Sequence, residues 1–335
     1  MSASFQQIAL LSIAPIKILL NLLALLAALA TILGFFGRQW WISEALDHPR
    51  VQYSLILAIA LIVGIMSREK WSLSLGVPLA INLVTIVPLF FPPNLPGNSN
   101  SPTLTIFHAN LDRHNPQPDR AIEYLSNQTA DIIFLQEVTP AWLNKLNSEL
   151  KNSRIHTVMP SDDSLGVAML LPIAEPQNLE IVTSKILHIP ADSPRRMLEV
   201  IVLWQGKEIA ILSASTARGT NGQGASNFQK NEFDEIAKWS VTQQQEFKRE
   251  VIAIGDLNNT PWSDRFRQFV KDSNLINSQI GFGWQTTWPA NLPPLLRIPI
   301  DHCLHSQSLK IAERSIGSNL GSDHLPLLVK LLYND

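Results

Sequence analysis

The sequence predicts a mixed α/β domain preceded by an N-terminal region of transmembrane helices. Residues 1–91 are dense in Leu, Ile, Ala and Val, whereas the rest of the chain alternates short apolar runs with polar segments. With 335 residues the chain is long enough for both units.

Three stretches of the N-terminal region, 18–36, 51–66 and 71–91, contain no charged residue. A membrane-spanning helix needs about 20 mostly apolar residues, so the first and third are long enough, and the second becomes so with flanking residues. We therefore predict three transmembrane helices at about 16–36, 51–66 and 71–91. The alternatives are buried core helices, or a cleaved signal peptide for the first run, which is longer than the usual apolar core of about 7–15 residues.

Cations in the loops predict an orientation for these helices. Arg68 and Lys70 lie in the short loop between the second and third runs, and Lys17 flanks the first run on the same side. Arg38 and Arg50 lie on the opposite side. Because cytoplasmic loops carry an excess of Lys and Arg, the amino terminus is expected in the cytoplasm. The C-terminal domain is then expected on the extracytoplasmic side, by a margin of one charge.

Residues 92–102 are rich in Pro, Gly, Asn and Ser, which predicts a linker, and 103–335 are the size of one large domain. Thr139 and Pro140 have the residue types of a helix N-cap and a first helical position. Short strands with intervening helices indicate a mixed α/β domain. Apolar runs predict strands at 104–107, 132–135, 200–203, 209–212, 251–254 and 325–332.

Charge and cysteine content exclude some classes of protein. The net charge is −2 and no long basic run is present, which argues against a general nucleic-acid coat protein but leaves room for a nuclease with a local basic cleft. Cys303 is the single cysteine, so an intrachain disulfide and a zinc site built on cysteines are excluded.

Eight polar residues at or just past the apolar runs are candidates for a functional site. Carboxylate and amide oxygens without cysteine suit Mg²⁺ or Mn²⁺, and an Asp-His pair suits proton transfer or charge stabilisation at phosphorus. Each residue taken alone also fits a turn or a helix cap, so it is the ordered set that indicates function. The residues are Asn110, Asp112, Glu137, Asp256, Asn258, Asp301, Asp323 and His324.

Short motifs in a fixed order surround these residues. They are ANLD at 109–112, DIIFLQE at 131–137, GVAMLL at 166–171, GDLNNTPWS at 255–263, IDH at 300–302 and GSDH at 321–324. Over about 104–332 the chain resembles the endonuclease/exonuclease/phosphatase superfamily, which includes deoxyribonuclease I-like nucleases, abasic-site endonucleases, inositol polyphosphate 5-phosphatases and neutral sphingomyelinases. The resemblance implies two facing β-sheets flanked by helices.

The resemblance also implies a metal site that holds Mg²⁺ or Mn²⁺. Glu137 would be the principal ligand. Asn110, Asp112 and Asp323 would assist it, directly or through water.

The same resemblance implies catalytic roles for four residues. Asp256 would orient or deprotonate the attacking water, and Asn258 would contact the scissile phosphate and hold Asp256. His324 would donate a hydrogen bond to a phosphate oxygen, while Asp301 fixes its tautomer. The charge that builds on the phosphoryl oxygens would be offset by metal, His and Asn.

One element departs from the family pattern. The strand that corresponds to 209–216 usually carries a histidine that contacts the phosphate, and here only Ser213, Ser215 and Thr216 are present, followed by Arg218. Either a hydroxyl or Arg218 substitutes for this histidine, or activity is reduced.

Two further features have both a functional and a structural interpretation. Arg195 and Arg196 precede a predicted strand and would either grip a phosphate or form a solvated pair. Trp284 and Trp288 would either line the rim of a substrate site or pack in the core.

The sequence therefore predicts a multi-pass membrane protein with a metal-dependent phosphoesterase domain. Its substrate would be a phosphodiester or phosphomonoester in nucleic acid, phospholipid or a small molecule, and its other partner the lipid bilayer; no protein partner is indicated. The alternative is a binding protein that keeps the fold and has lost turnover, which the missing histidine favours.

Overall fold

The computed structural model describes residues 2–91, 102–174 and 179–333, with side chains from residue 15 onward. The chain divides into two units. The first consists of Met1–Pro88 and Trp262–Asp264, and the second of Leu89–Pro261 and Arg265–Asp335. Most of the predicted linker 92–102 lies outside the described residues.

The first unit is helical. Two segments, Pro15–Phe36 and Lys70–Phe90, are each long and apolar enough to cross a membrane, and the helices on either side of residues 48–49 pass that test only as a pair bent by 62°. The described part of the chain thus holds two candidate spans, or three if the bent pair is one span. The α-helices are α1 (Ser2–Leu33), α2 (Trp41–Asp47), α3 (Arg50–Met66) and α4 (Gly76–Ile86), with 3₁₀ turns at Gly34–Phe36, Lys70–Leu75 and Val87–Phe90.

Small residues, together with Leu57 and Leu75, form the contact between the helices of this unit. Ala24 and Ala27 of α1 and Ala60 of α3 are buried, and Gly64 of α3 lies so close to Ser72 that an added Cβ would meet its side chain at 2.2 Å. Small side chains allow helix backbones to approach closely without a large apolar core.

A buried polar network links α1, α3 and α4. Arg50, which the sequence places in a flanking loop, is the first residue of α3 and is fully buried. It pairs with Asp47 and donates from Nη1 to Asn82 Oδ1 at 3.0 Å, and Asn82 Nδ2 donates to Thr31 Oγ1 at 2.9 Å. The charge of Arg50 is therefore compensated inside the unit.

The second unit is built on two six-stranded mixed sheets. The first sheet has the order β11-β12-β1-β2-β4-β3, and the second has the order β5-β6-β7-β8-β10-β9. The strands are β1 (Leu104–Asn110), β2 (Ile132–Gln136), β3 (Ser153–Met159), β4 (Val167–Pro172), β5 (Leu179–His188), β6 (Arg196–Trp204), β7 (Lys207–Ser213), β8 (Glu250–Asp256), β9 (Ile276–Asn277), β10 (Asp301–His305), β11 (Leu309–Ile316) and β12 (Leu327–Tyr333).

Four helices cover the outer faces of the sheets. They are α5 (Pro118–Ser126), α6 (Pro140–Glu149), α7 (Gln223–Gln245) and α8 (Asp264–Asp272). Ile106 and Phe134 of the first sheet pack with Val200 and Ile254 of the second in one cluster, while separate clusters join the first sheet to α5 and α6 and the second to α7 and α8. The two packed sheets flanked by helices are thereby confirmed.

The predicted start of α6 is confirmed in detail. Thr139 is the N-cap and its hydroxyl accepts from the Trp142 amide at 3.2 Å, while Pro140 is the first helical residue. Trp142 and Leu146 are buried against the first sheet. A side-chain cap and an apolar stripe therefore set both the start and the orientation of this helix.

Candidate active site

The ends of central strands bring the predicted site residues together. β1 and β2 are central strands that run parallel, with Asn110 opposite Gln136. Asn110 and Glu137, which follows Gln136, therefore lie at the same carboxyl-terminal end of the first sheet. In the second sheet Asp256 of β8 pairs with Asp301 of β10. Gln136 Oε1 accepts from the Asp256 amide at 3.2 Å, which joins the two sheets at this end.

A buried cluster of Asp256, Asp301 and His324 lies at this end of the strands. His324 Nδ1 lies 2.9 Å from Asp301 Oδ2, and His324 Nε2 lies 3.8 Å from Asp256 Oδ2. All three side chains are almost completely buried. Asp301 therefore orients the ring, and Nε2 faces Asp256 and the space beside it.

His108 extends this cluster and was not among the predicted site residues. It is fully buried on β1, and its Nε2 lies 3.1 Å from Asp301 Oδ1. Asp301 thus holds two histidines, one on each carboxylate oxygen. The signal was present in the sequence, since His108 stands two residues before Asn110 and alternation along a strand places both side chains on one face.

The buried charges shift one another's pKa values. Burial raises the pKa of Asp256 to about 6, with a further increase from Asp301 that is opposed by His324. Burial alone would lower the pKa of His324, but the Asp301 and Asp256 carboxylates outweigh it and raise that pKa to about 10. Burial likewise opposes ionisation of Asp301, yet the charge of His324 and the hydrogen bond of His108 lower its pKa well below the usual range. Near neutral pH the cluster contains two carboxylates and one imidazolium.

Asn258 fixes the carboxylate of Asp256. Its backbone amide donates to Asp256 Oδ1 at 2.9 Å, and its side-chain Nδ2 donates to Asp256 Oδ2 at 3.0 Å and to the Thr216 carbonyl at 2.9 Å. Asn258 has a φ of 48°, in the left-handed region that only a few residue types adopt easily. A backbone held there by its surroundings is a common feature of functional sites.

A second group of oxygens surrounds Glu137. Asn110 Nδ2 donates to Glu137 Oε1 at 3.2 Å and the Arg113 amide to Oε2 at 3.2 Å. Among the described residues no Lys or Arg forms an ion pair with Glu137. Asp112 lies close by, because its amide donates to Asn110 Oδ1 at 3.0 Å, but its own Oδ1 accepts from the His114 amide and caps a turn. Glu137 and Asp112 both have φ near 60°.

Asp323 is held by the segment that precedes β10. Its Oδ2 accepts from Trp288 Nε1 at 2.9 Å, and its Oδ1 lies 4.0 Å from His324 Nε2. The guanidinium of Arg218 lies over the ring of Trp288, 4.9 Å from its centroid, in a cation–π contact. Trp288 therefore lies at the site and positions one of the predicted ligands, which is a contact that the sequence did not settle.

The structure groups the predicted residues in two ways. Asp256, Asp301 and His324 offer ligand atoms within 4.8 Å of one another and form a group of His and carboxylate residues that could hold a metal ion. However, Asp301 and His324 are already engaged with each other, whereas the carboxylate of Glu137 meets only neutral donors. We therefore regard the Glu137 side as the better fit for a hard cation, which prefers carboxylate and amide oxygens.

Comparison with known families identifies the second unit. Residues 89–324, more than half of the chain, match the model described as Endonuclease/Exonuclease/phosphatase family. The chain belongs to this family. The second unit accordingly has the phosphoric ester hydrolase fold of endonuclease/exonuclease/phosphatase family members.

Solved structures share this fold at low sequence identity, and none of the curated proteins compared with the chain matches it. An endonuclease/exonuclease/phosphatase family protein from Bacteroides thetaiotaomicron has 15% identity and a TM-score of 0.57, covering 70% of this chain and 99% of that one. D. rerio TDP2 complexed with single strand DNA product has 18% identity and a TM-score of 0.54, covering 68% and 98%. A mannosyl-6-phosphatase of B. thetaiotaomicron VPI-5482 has 16% identity and a TM-score of 0.53, covering 69% of this chain and 100% of that one.

Proposed function

We propose that the chain is a membrane-anchored, divalent-metal-dependent phosphoesterase that hydrolyses phosphodiester or phosphomonoester bonds. The observation that carries this proposal is the buried Asp256–Asp301–His324 cluster beside the oxygens of Asn110 and Glu137. It combines a carboxylate that can accept a proton, a cationic donor and a set of hard ligands at one edge of the two sheets.

In this proposal Asp256 receives the proton of the attacking water. Asn258 holds both oxygens of that carboxylate, so the lone pair that accepts the proton has a fixed direction. His324, kept protonated by Asp301, donates from Nε2 to a phosphoryl oxygen. Because its charge is present before the reaction, it offsets the developing negative charge without reorganisation.

Glu137, Asn110, Asp112 and Asp323 would hold Mg²⁺ or Mn²⁺. When bound, the ion supplies charge stabilisation at the phosphoryl oxygens. The residues themselves order the site: Asn110 and the Arg113 amide fix the two oxygens of Glu137, and Trp288 fixes one oxygen of Asp323.

The proposed membrane anchor is supported by the surface of the helical unit. Large apolar side chains on α1, on α3 and in 70–90 are exposed, among them Leu26 at 63%, Ile62 at 57% and Val84 at 73%. Soluble proteins rarely expose contiguous apolar surface of this kind, whereas lipid-facing helices do so by necessity. Small residues inside and large apolar residues outside are the pattern of a membrane helix bundle.

Purified full-length protein in detergent micelles, with Mg²⁺ or Mn²⁺ and a substrate panel, tests the function. The relatives suggest single-stranded DNA and a sugar phosphate, and the anchor suggests phospholipids. We expect hydrolysis of at least one member, its loss in EDTA and its recovery with Mg²⁺. Glu137→Ala should raise the Mg²⁺ concentration needed for half-maximal activity. Full activity in EDTA would refute metal dependence, and an inert protein across the panel would favour the binding-protein alternative.

A further inference from the structure

The segment after β7 brings Ser215 next to Asp256. β7 and β8 run parallel with Ser213 opposite Ile254, and the Thr216 amide donates to the Asp256 carbonyl at 3.0 Å. This hydrogen bond extends the β7–β8 register two residues beyond the Ser213–Ile254 pair. Ser215 is therefore the neighbour of Asp256 on the adjacent strand, and both side chains lie on the same face of the sheet. Adjacent strands lie about 4.8 Å apart.

Ser215 differs from its neighbours in being accessible. Ser213 and Thr216 are buried, and the Thr216 hydroxyl is engaged with the Leu257 carbonyl at 2.7 Å, whereas Ser215 is partly exposed. Of the three hydroxyls that this segment offers, only that of Ser215 can meet a substrate beside Asp256.

Two guanidinium groups accompany this segment. Arg195 Nη1 lies 3.5 Å from the Ser215 hydroxyl, and its side chain is 20% exposed. Arg218, three residues beyond Ser215, is exposed, stacks on Trp288 and places Nε 3.3 Å from Asn258 Oδ1. Both cations thus contact residues that adjoin Asp256.

Glu232 of α7 contacts both the segment that contains Arg195 and the loop that contains Arg218. Its side chain is fully buried; Oε2 accepts from the Ala217 amide at 2.6 Å, and Oε1 lies 3.5 Å from Arg195 Nε. Gln229, one turn earlier, donates to the Ala217 carbonyl at 2.7 Å and to the Leu257 carbonyl at 3.2 Å. The loop after β7 is therefore held by α7, and Arg195, whose Nε faces Glu232, has its Nη1 directed at the Ser215 hydroxyl.

We propose that Arg195, Ser215 and Arg218 form an oxyanion subsite that grips the phosphoryl group of the substrate next to Asp256. The subsite deepens the proposed function and rests on it for the identity of the substrate. Two guanidinium groups provide several N–H donors in fixed planes, which match the tetrahedral oxygens of a phosphate better than a single hydroxyl does. The subsite lies across Asp256 from Asp301 in the same sheet, so a phosphoryl group held there faces the Asp256 carboxylate.

Binding of inorganic phosphate to the full-length protein in detergent, in EDTA and without added metal, tests the subsite separately from turnover. Titration calorimetry gives Kd for the parent, Arg195→Gln, Arg218→Gln and Ser215→Ala. We expect each arginine variant to bind phosphate at least about tenfold more weakly and Ser215→Ala about threefold more weakly. Arg120→Gln is the matched control, because it removes an exposed guanidinium of α5 whose partner is Gln117, the N-cap residue of that helix; its Kd should equal that of the parent.

The outcomes separate the subsite from the proposed function. Unchanged phosphate affinity in both arginine variants overturns the subsite even if the parent hydrolyses a phosphoester. Arginine-dependent phosphate binding by a parent that hydrolyses nothing supports the subsite and refutes the proposed activity. Should Arg195→Gln fail to fold because Glu232 loses its partner, Arg218→Gln and Ser215→Ala, which leave both members of the Arg195–Glu232 ion pair in place, decide the question.

Discussion

At the scale of single residues, the site depends on three charges held in a small buried volume. Asp301 accepts from two histidines, His324 is kept as an imidazolium by two carboxylates, and Asp256 is left as the group that titrates nearest to neutral pH. Removing any one of these three charged groups changes the protonation of the other two, because the groups interact strongly with one another.

This coupling predicts a bell-shaped pH dependence. Asp256 must be ionised to accept a proton and its pKa is raised to about 6, so kcat/KM should fall as the pH drops below about 6. His324 must be protonated to donate and its pKa is raised to about 10, so kcat/KM should fall again above about 10. Asp301→Asn removes a charge that raises both pKa values, and both limbs should move to lower pH. A parent profile that stays flat between pH 7 and pH 5 would contradict the role of Asp256.

Substitutions at the reacting groups should act on kcat. Asp256→Asn removes the proton acceptor and His324→Ala removes the cationic donor, so each should lower kcat by at least about a hundredfold with little change in KM. Asp301→Ala removes a group that acts through His324 and Asp256 and does not itself take part in proton transfer, so it should cost less. Steady-state kinetics on the parent and the three variants, with circular dichroism as the folding control, measures this. Variants that retain the parental kcat would show that the reaction takes place elsewhere.

At the scale of elements, the approach of β7 to β8 requires a glycine. A Cβ on Gly255 would lie 2.0 Å from the Ala214 carbonyl oxygen and 2.6 Å from Gln136 Nε2, and the φ of Gly255 is +147°. The close contact allows Ser215 to lie beside Asp256 and Gln136 to bridge the sheets.

Gly255→Ala should therefore destabilise the fold and misplace Asp256. Overpacking of this kind costs roughly 1–3 kcal/mol, and kcat should fall because the Asp256 carboxylate loses its fixed position. Gly224→Ala is the control: its Cβ would meet nothing within 4 Å, and it lies in α7, where Ala is favoured over Gly. Thermal unfolding and kinetics of both variants test this. Equal melting temperatures for Gly255→Ala and the parent would contradict the close contact.

The sequence predicted the central strands better than the edges of the sheets. The six predicted apolar runs all correspond to interior strands of the two sheets, whereas none of the four edge strands was predicted; the interior strands β4 and β10 coincide with the motifs at 166–171 and 300–302 but had no predicted run. β5 shows why: its residues alternate between partly buried and exposed, and it carries Glu180 and Lys185, whereas every residue of β2 is buried. An edge strand packs on fewer neighbours, so its apolar pattern is weaker. The four edge strands are β3, β5, β9 and β11.

The sequence predicted the site residues that lie in the ordered motifs, and it did not predict the others. Motif order found Asp256, Asp301 and His324, which the structure brings together. It missed His108, because the alternation that puts His108 on the same face of β1 as Asn110 does not reveal its partner, Asp301. The contact of Arg195 with Ser215 depends on the β6–β7 hairpin, and the position of Ser215 beside Asp256 depends on the β7–β8 pairing, which joins residues distant in sequence.

At the scale of the whole molecule, the distribution of cations on the helical unit predicts which side of the membrane carries each end of the chain. Lys17 forms an ion pair with Glu69 at 2.8 Å, which places Lys17 at the same end of the helices as Arg68 and Lys70. At the opposite end both counted cations are paired: Arg50 is buried against Asp47, and Arg38 forms an ion pair with Asp264.

The loop at 67–70 should therefore be cytoplasmic, and the C-terminus extracytoplasmic, if three spans cross the membrane. Reporter fusions after Ser67 and at Asp335, one reporter active only in the cytoplasm and one only outside it, measure both positions. Arg68→Gln combined with Lys70→Gln removes the bias and should yield mixed orientations, whereas Arg38→Gln should leave the orientation unchanged or strengthen it. A cytoplasmic signal from the C-terminal fusion of the parent would show that the phosphoesterase unit acts inside the cell. Cytoplasmic signals from both fusions would mean that an even number of spans separates residues 67 and 335, so that Lys70–Phe90, the candidate span between them, does not cross the membrane.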